Sequence, residues 1–296
     1  MNFISPSDLN QLINSSDEIA LIDVREQGEF GKQHILLCAN IPLSQLEMNV
    51  PGLVPRKSCH IVICDFEGEL SSRAFDVLSS YGYTNISSLR GGVKAWKEGK
   101  FEVFSGVNVP SKAFGEFVEH TYETPSISAE ELKNMMDNKQ DFVVLDSRPM
   151  DEYKIMNIPG GIDMPGAELV YRIEEAPITK DTTVVVNCAG RTRSIIGAQT
   201  LINAGVENKV VALRNGTQGW HLAGYKLEHG SDRSVPEVTN RGHSVALQRA
   251  NSAAKKFGVK FINCETLDRW REQRGERTLA ILDVRTQEEF ETAHIA

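Results

Sequence analysis

The chain has 296 residues, 41% of them apolar, which is enough for about two folded domains with substantial cores. Its formal net charge of −8 argues against a surface that binds nucleic acid or an anionic membrane. The sequence begins without the basic start and apolar core of a signal peptide, and no apolar run approaches the ~20 residues of a membrane span.

Short apolar segments alternate with helical patterns through the first third of the chain. This alternation predicts βαβ units, in which a parallel sheet is covered by helices on both faces. In such sheets, active sites lie at the carboxyl ends of the strands. The expected strands span residues 20–24, 59–64 and 86–89, and the expected helices span 6–13, 26–32 and 71–81 and begin again at 92.

One segment of sequence occurs three times. The run that ends in Asp23-Val24-Arg25 returns around Asp146 and again around Asp283. The first two copies stay in register without a gap from Leu9 and Leu132 to Gly82 and Gly205, and a one-residue slip then aligns Trp96 with Trp220. Two registered copies of this length indicate a duplicated domain rather than a solenoid.

These repeats predict the domain organisation. We expect a first domain at 1–104, a linker with a short helix at 105–126, a second domain at 127–229, and a linker helix with an incomplete third copy at 230–296. The third copy begins near Phe261 and stops before the strand that would carry its own loop, so we expect the natural polypeptide to continue. In the alternative, this tail packs as an extra layer on the second domain.

The most distinctive segment runs from Cys188 to Arg193. It follows a β-branched strand at 184–187 and precedes a helical pattern at 194–205, so a single cysteine opens a turn before a helix N-terminus. The unpaired N–H groups and the dipole at such an end favour an anion, and Arg191 and Arg193 add positive charge. A thiolate should therefore form here more readily than on a free cysteine.

The Asp-x-Arg strand, the Cys-x4-Arg loop entering a helix and the Gly-x-x-x-Trp ending resemble the rhodanese-like sulfurtransferases. The resemblance covers nearly all of residues 1–230 and implies an α/β fold, duplicated here, in which helices cover both faces of a parallel sheet of about five strands. It also implies that a sulfane sulfur passes from a donor such as thiosulfate, through a cysteine persulfide, to a thiol or cyanide. A protein acceptor is a further possibility.

This resemblance gives the loop residues their expected roles. Cys188 is the candidate nucleophile, because covalent catalysis divides the transfer into two steps. The N–H groups of Ala189, Gly190, Arg191, Thr192 and Arg193 are expected to cradle the persulfide, and the two arginines to bind an anionic donor. Asp146 and Arg148 could support the loop, although their recurrence in copies without such a loop favours a structural role.

The first copy is expected to be inactive. Cys188 aligns with Asp65, not with Cys64, and the first loop carries three carboxylates and no arginine. Like charges there would oppose a thiolate and repel anionic donors. Cys59, His60 and Cys64 lie along one strand and alternate between its faces, so no metal site is expected, and no cofactor is implied.

The five cysteines favour a cytoplasmic protein, since they are sparse, odd in number and lack a Cys-x-x-Cys pair. The donor remains open, because Asp151-Glu152-Tyr153 stands where thiosulfate enzymes of this family carry Gly-Arg-Tyr. Two alternatives differ in class. A phosphatase or arsenate reductase on the same fold resembles Cys-x5-Arg, one residue longer than the loop here, and a non-catalytic sulfur carrier or interaction module would need no turnover.

Overall fold

The computed structural model describes residues 1–106 and 108–295. The chain divides into two compact units, one formed by Met1–Val109 with Phe261–Ala296 and the other by Pro110–Lys260. Each unit contains one sheet of five strands, and all of the strand pairs are parallel. Within the described residues, no helix has both the length and the apolar character needed to cross a membrane.

The sheet of the first unit has the strand order β1-β5-β4-β2-β3. Its strands are β1 (Asn2–Ile4), β2 (Ile19–Asp23), β3 (Ala39–Asn40), β4 (His60–Cys64) and β5 (Ile86–Leu89). The helices between and after them are α1 (Pro6–Ile13), α2 (Gln27–Phe30), α3 (Leu46–Leu53), α4 (Ser71–Ser80) and α5 (Gly92–Glu98), with a short 3-10 turn at Leu43–Gln45.

The second sheet has the matching order β6-β10-β9-β7-β8. Its strands are β6 (Ser126–Ile127), β7 (Phe142–Asp146), β8 (Ile162–Asp163), β9 (Thr183–Asn187) and β10 (Val210–Leu213). Its helices are α6 (Val109–Tyr122), α7 (Ala129–Asp137), α8 (Met150–Ile155), α9 (Leu169–Arg172), α10 (Thr192–Asn203), α11 (Gly216–Leu222) and α12 (Asn240–Lys256), with a 3-10 turn at Ile173–Glu175.

Strand β9 shows why the carboxyl edge of the second sheet can hold a site. Val184 and Val186 pack into the core on one face, whereas Val185 packs into the core on the other. A strand that is apolar on both faces lies in the middle of a parallel sheet. The loop after β9 therefore begins at the centre of the sheet edge. These two sheets confirm the predicted duplicated α/β fold with five parallel strands in each copy.

The differences from the predicted elements have local causes. Strands β1, β3, β6 and β8 were not expected, because two or three residues carry no readable period. Helix α3 was also missed, because it contains Pro51, a residue that usually ends a helix. Helix α10 begins at Thr192, two residues before the expected start, and the linker helix α6 has 14 residues and is not short.

The third copy of the repeat does not form its strand. Residues 279–284 have no regular structure between α13 (Cys264–Glu272) and α14 (Gln287–Thr292). Leu282 and Val284 are 83% and 94% exposed, because no neighbouring strand covers them. Residues from Phe261 group with the first unit, where the Thr278 N–H donates to Glu18, whereas α12 packs on α9 in the second unit.

Candidate active site

The loop from Cys188 to Arg191 joins β9 to α10, and the start of α11 fixes its path. The Cys188 carbonyl accepts the Thr217 N–H at 2.8 Å and the Thr217 hydroxyl at 3.1 Å. The Ala189 carbonyl accepts the Gln218 N–H at 3.0 Å. Gly216 has a φ of +51° and lies against the Cys188 and Gly190 carbonyls so closely that a Cβ would overlap them. The carbonyls of Cys188, Ala189 and Gly190 therefore face α11.

The opposite side of the loop presents its N–H groups. In residues 1–106 and 108–295, no backbone N–H from Ala189 to Arg193 donates to a protein acceptor. Unpaired N–H groups at the start of a 12-residue helix form a site for an anion. Cys188, at the start of this turn, is only 2% exposed, so its thiol is buried rather than displayed on the surface. The five residues predicted to form a cradle thus lie together around Cys188.

Asp146 and Arg148 form a buried ion pair below the loop. Arg148 donates to both Asp146 oxygens at 2.8 Å and to the Met156 carbonyl at 2.6 Å. The equivalent pairs Asp23–Arg25 and Asp283–Arg285 have the same geometry. Because the third pair forms without a sheet around it, the motif is a local structural device.

Asn187 connects that ion pair to the loop. Its side-chain amide donates to Asp146 Oδ2 at 2.7 Å and to Thr217 Oγ1 at 3.1 Å, and Thr217 in turn donates to the Cys188 carbonyl. Sequence reasoning did not single out Asn187 or Thr217. A signal was present, because the first copy has the apolar residues Cys64 and Val93 at these positions.

The two loop arginines are paired with carboxylates. Arg193 makes two hydrogen bonds of 2.8 Å to Glu152, and Arg191 contacts Glu116 at 2.8 Å and also Glu119. The Arg193 guanidinium lowers the pKa of Glu152, and Glu152 raises the pKa of Arg193. The sequence next to the loop contains no acidic residue. Helices α6 and α8 nevertheless place the three carboxylates of Glu116, Glu119 and Glu152 beside it. Both arginines are therefore already paired with carboxylates, which the sequence alone did not predict.

Helix α6 also packs directly against the loop end. Gly115 lies so close to Thr192 that a Cβ would stand 2.9 Å from the threonine methyl group. Glu116 and Glu119 follow on the same helix. The segment expected to be only a linker therefore forms one wall of the site.

A cavity of about 740 Å³ opens beside the loop, with Ala189 in its wall. Its lining is largely apolar and comes from Met156 and from α11 with the segment that follows it, including Tyr225 and Leu227. Lys226 contributes a cation to the lining. The volume is in the range of small-molecule sites, about 300–1,000 Å³.

In the first unit, the N–H groups of the equivalent loop are bound by the carboxylate of Asp65, which belongs to the same loop. The Asp65 carbonyl accepts the Val93 N–H, as the Cys188 carbonyl accepts that of Thr217, which establishes their equivalence. The Asp65 side chain accepts the N–H groups of Gly68, Leu70 and Ser71. An internal anion thus fills the place that the second loop leaves open.

A second cluster in the first unit joins Asp23, Cys38 and Cys64, with 3.3 Å between the two sulfur atoms. Burial raises the pKa of Cys38, and the contact with Cys38 together with burial raises that of Cys64 well above its usual range. Arg25 donates to both Asp23 oxygens. A neighbouring guanidinium and protonated thiols make this cluster unfavourable for a cation.

Comparison with known proteins shows a family match over both copies of the repeat. The family described as "Rhodanese-like domain" matches residues 5–99 and 128–223. A crystallised thiosulfate sulfurtransferase from Pseudomonas aeruginosa is 44% identical, with a TM-score of 0.92 over 100% of this chain. The chain spans 56% of the length of that protein.

Two shorter bacterial relatives match single parts of the chain. The thiosulfate sulfurtransferase PspE of Escherichia coli is 32% identical over 25% of this chain and 69% of its own length. The putative sulfur carrier protein YrkF of Bacillus subtilis is 26% identical over 43% of this chain and 72% of its own length.

Proposed function

Because the chain belongs to the rhodanese-like domain family, we propose that it is a sulfurtransferase and that Cys188 carries the transferred sulfur as a persulfide. The family predicted from the sequence is confirmed by the match to both copies. The observation that carries the assignment to Cys188 is the loop itself. A buried cysteine begins a turn whose N–H groups have no acceptor among the described residues.

The reaction divides into two displacements at sulfur. In the first, the Cys188 thiolate attacks the outer sulfur of thiosulfate, a bond forms between Sγ and that sulfur, and sulfite leaves with the electron pair of the broken sulfur–sulfur bond. In the second, cyanide or a thiolate attacks the outer sulfur of the persulfide and returns Cys188 as a thiolate. Neither step has a net redox change, and the negative charge in both falls on sulfur that the N–H groups can stabilise.

The supporting residues fix the shape of the cradle. Thr217 and Gln218 hold the carbonyls of Cys188 and Ala189 on one side, so the N–H groups are directed to the other. Asn187 donates hydrogen bonds to both Asp146 and Thr217, so the Asp146–Arg148 pair helps to hold Thr217 in place. Preorganised donors of this kind need no rearrangement when charge develops.

The first unit has a structural role in this proposal. Its loop donors are satisfied by Asp65, so the loop has neither a nucleophile nor an open anion site. A sulfur-carrier role, in which the persulfide is only delivered to a protein, is the second candidate, favoured by the similarity to YrkF. Small donors and acceptors would then load and unload the protein without efficient turnover.

The test is thiocyanate formation from thiosulfate and cyanide by the whole chain. Turnover should be lost in Cys188→Ser, since an alkoxide neither forms at neutral pH nor replaces the persulfide. Cys264→Ser is the matched control, because that cysteine is exposed and lies in α13. Full turnover in Cys188→Ser, or its loss in Cys264→Ser, would overturn the proposal. Sulfur loading without turnover in the wild-type chain would favour the carrier role.

A further inference from the structure

Five charged side chains form the ion pairs around the two arginines of the Cys188 loop. Arg191 and Arg193 supply two positive charges, and Glu116, Glu119 and Glu152 supply three negative ones. One negative charge therefore remains. The hydrogen bonds of both arginines are already directed to carboxylates. An approaching dianion such as thiosulfate would therefore be repelled by a carboxylate beside each arginine.

The cavity beside the loop offers a different kind of surface. It has about 740 Å³, and most of its exposed surface is apolar, with Met156, Tyr225 and Leu227 in the wall beside the polar side chains of Gln218, His221 and Lys226. Ala189, which follows the nucleophile, forms part of its wall. An apolar group bound there would lie against the loop that carries Cys188, and thiosulfate has no such group to place in the cavity.

From these two independent features, we infer that this site selects an organic persulfide bearing at most one negative charge over dianionic thiosulfate. The inference rests on the proposed function and names its donor class. The organic group occupies the cavity, and the terminal sulfur lies at Cys188. The thiolate attacks that sulfur, a bond forms from Sγ to it, the sulfur–sulfur bond of the donor breaks, and the organic thiolate leaves with the electron pair.

Glu152 is the residue whose effect on the choice between the two donors is simplest to test. Its side chain is half-exposed and its contacts are with Arg193, so Glu152→Gln frees the guanidinium without opening the core. Asp151→Asn is the matched control, because it removes the same charge from the preceding position of α8, where the side chain is exposed.

The measurement is the second-order rate of sulfur loading onto the protein, followed by acid quenching and intact mass, with thiosulfate and with benzyl hydropersulfide. The wild-type chain should load faster from the persulfide. Glu152→Gln should raise the thiosulfate-to-persulfide rate ratio about fivefold at low salt and less at high salt, as expected for removal of a nearby like charge. Asp151→Asn should leave the ratio within about twofold, because the exposed Asp151 side chain forms no ion pair with either loop arginine among the described residues and its charge is screened by solvent.

The role of the cavity is tested in the same assay with a second pair of variants. Met156→Trp places a bulky ring at the cavity wall and should lower the persulfide-to-thiosulfate ratio about tenfold by excluding the benzyl group. Leu222→Trp, on the 84% exposed end of α11, is its control and should not change the ratio. Faster loading from thiosulfate in the wild type, or equal ratios in Glu152→Gln and Asp151→Asn, overturns the selectivity. Loading that persists in Cys188→Ala overturns the proposed function itself.

Discussion

Gly216 is the residue through which α11 shapes the Cys188 loop, and Gly216→Ala is the sharpest test of that geometry. Its φ of +51° is in the left-handed region, which costs a residue with a side chain about 1–2 kcal/mol. The added Cβ would also overlap the Cys188 carbonyl and stand 2.7 Å from the Gly190 carbonyl oxygen. Relief of that overlap requires the loop backbone to move, and overpacking of this kind costs about 1–3 kcal/mol.

We therefore expect Gly216→Ala to lower the free energy of unfolding of the second unit by about 2–5 kcal/mol. A loop displaced by about 1 Å should lose about a hundredfold in turnover, because the donor, the nucleophile and the N–H groups no longer align. The assay combines chemical denaturation with thiocyanate formation, both measured on the whole chain at a temperature where the variant is folded.

The first unit contains the matched control. Gly92 has a φ of +59°, and a Cβ there would overlap the Asp65 carbonyl and stand 2.5 Å from that of Phe66. Gly92→Ala should destabilise its own unit by a similar amount but leave turnover within about twofold, since that loop has no nucleophile. Turnover in Gly216→Ala within threefold of wild type would refute the reasoning, as would an equal loss in Gly92→Ala.

Three further predictions concern the site and its counterpart in the first unit. Burial, together with the neighbouring Asp146 and Glu168, raises the pKa of Asp163 to about 6. The stability that the protonated Asp163 carboxyl gives the native state is therefore complete below the unfolded-state pKa of ~3.9 and is lost as the pH rises through about 6. Asp163→Asn should accordingly stabilise the chain by about 1–3 kcal/mol near neutral pH and not near pH 4, and an equal change in melting temperature at both would contradict this. Asn187→Ala should destabilise by about 1–3 kcal/mol and lower turnover at least as far as Thr217→Val does, measured in the same thiocyanate assay. Asp65→Ala leaves three N–H groups without their acceptor and should destabilise the first unit by about 1–3 kcal/mol in denaturant, with turnover preserved.

The sequence was sufficient for the fold because both copies repeat the same buried strands and the same turn signals. The valines of β9 and the Gly205 helix ending identify a central strand and its helix without any structure. The edge strands were not predicted, since a two-residue strand such as β8 exists only through its pairing with β7. Residues 281–284 show the converse, because the same sequence pattern forms no strand when it has no partner.

The chemistry of the loop could be predicted only in part. The residues from Cys188 to Arg193 are contiguous, so their position at a helix N-terminus was readable from the sequence. The charge around them was not, because Glu116 is 75 positions away from Arg191 and approaches it only through the packing of α6. Interactions that cross between elements decide whether an arginine is a free cation, and a single sequence does not contain them.

The most direct measurement is the mass of the intact chain after incubation with a sulfur donor and removal of the excess. The proposed mechanism predicts a gain of one sulfur atom, mapped by peptide analysis to Cys188, removed by cyanide, and absent from Cys188→Ala. A chain that gains no sulfur, or that gains it equally in Cys188→Ala, would contradict the claim that Cys188 carries the transferred sulfur.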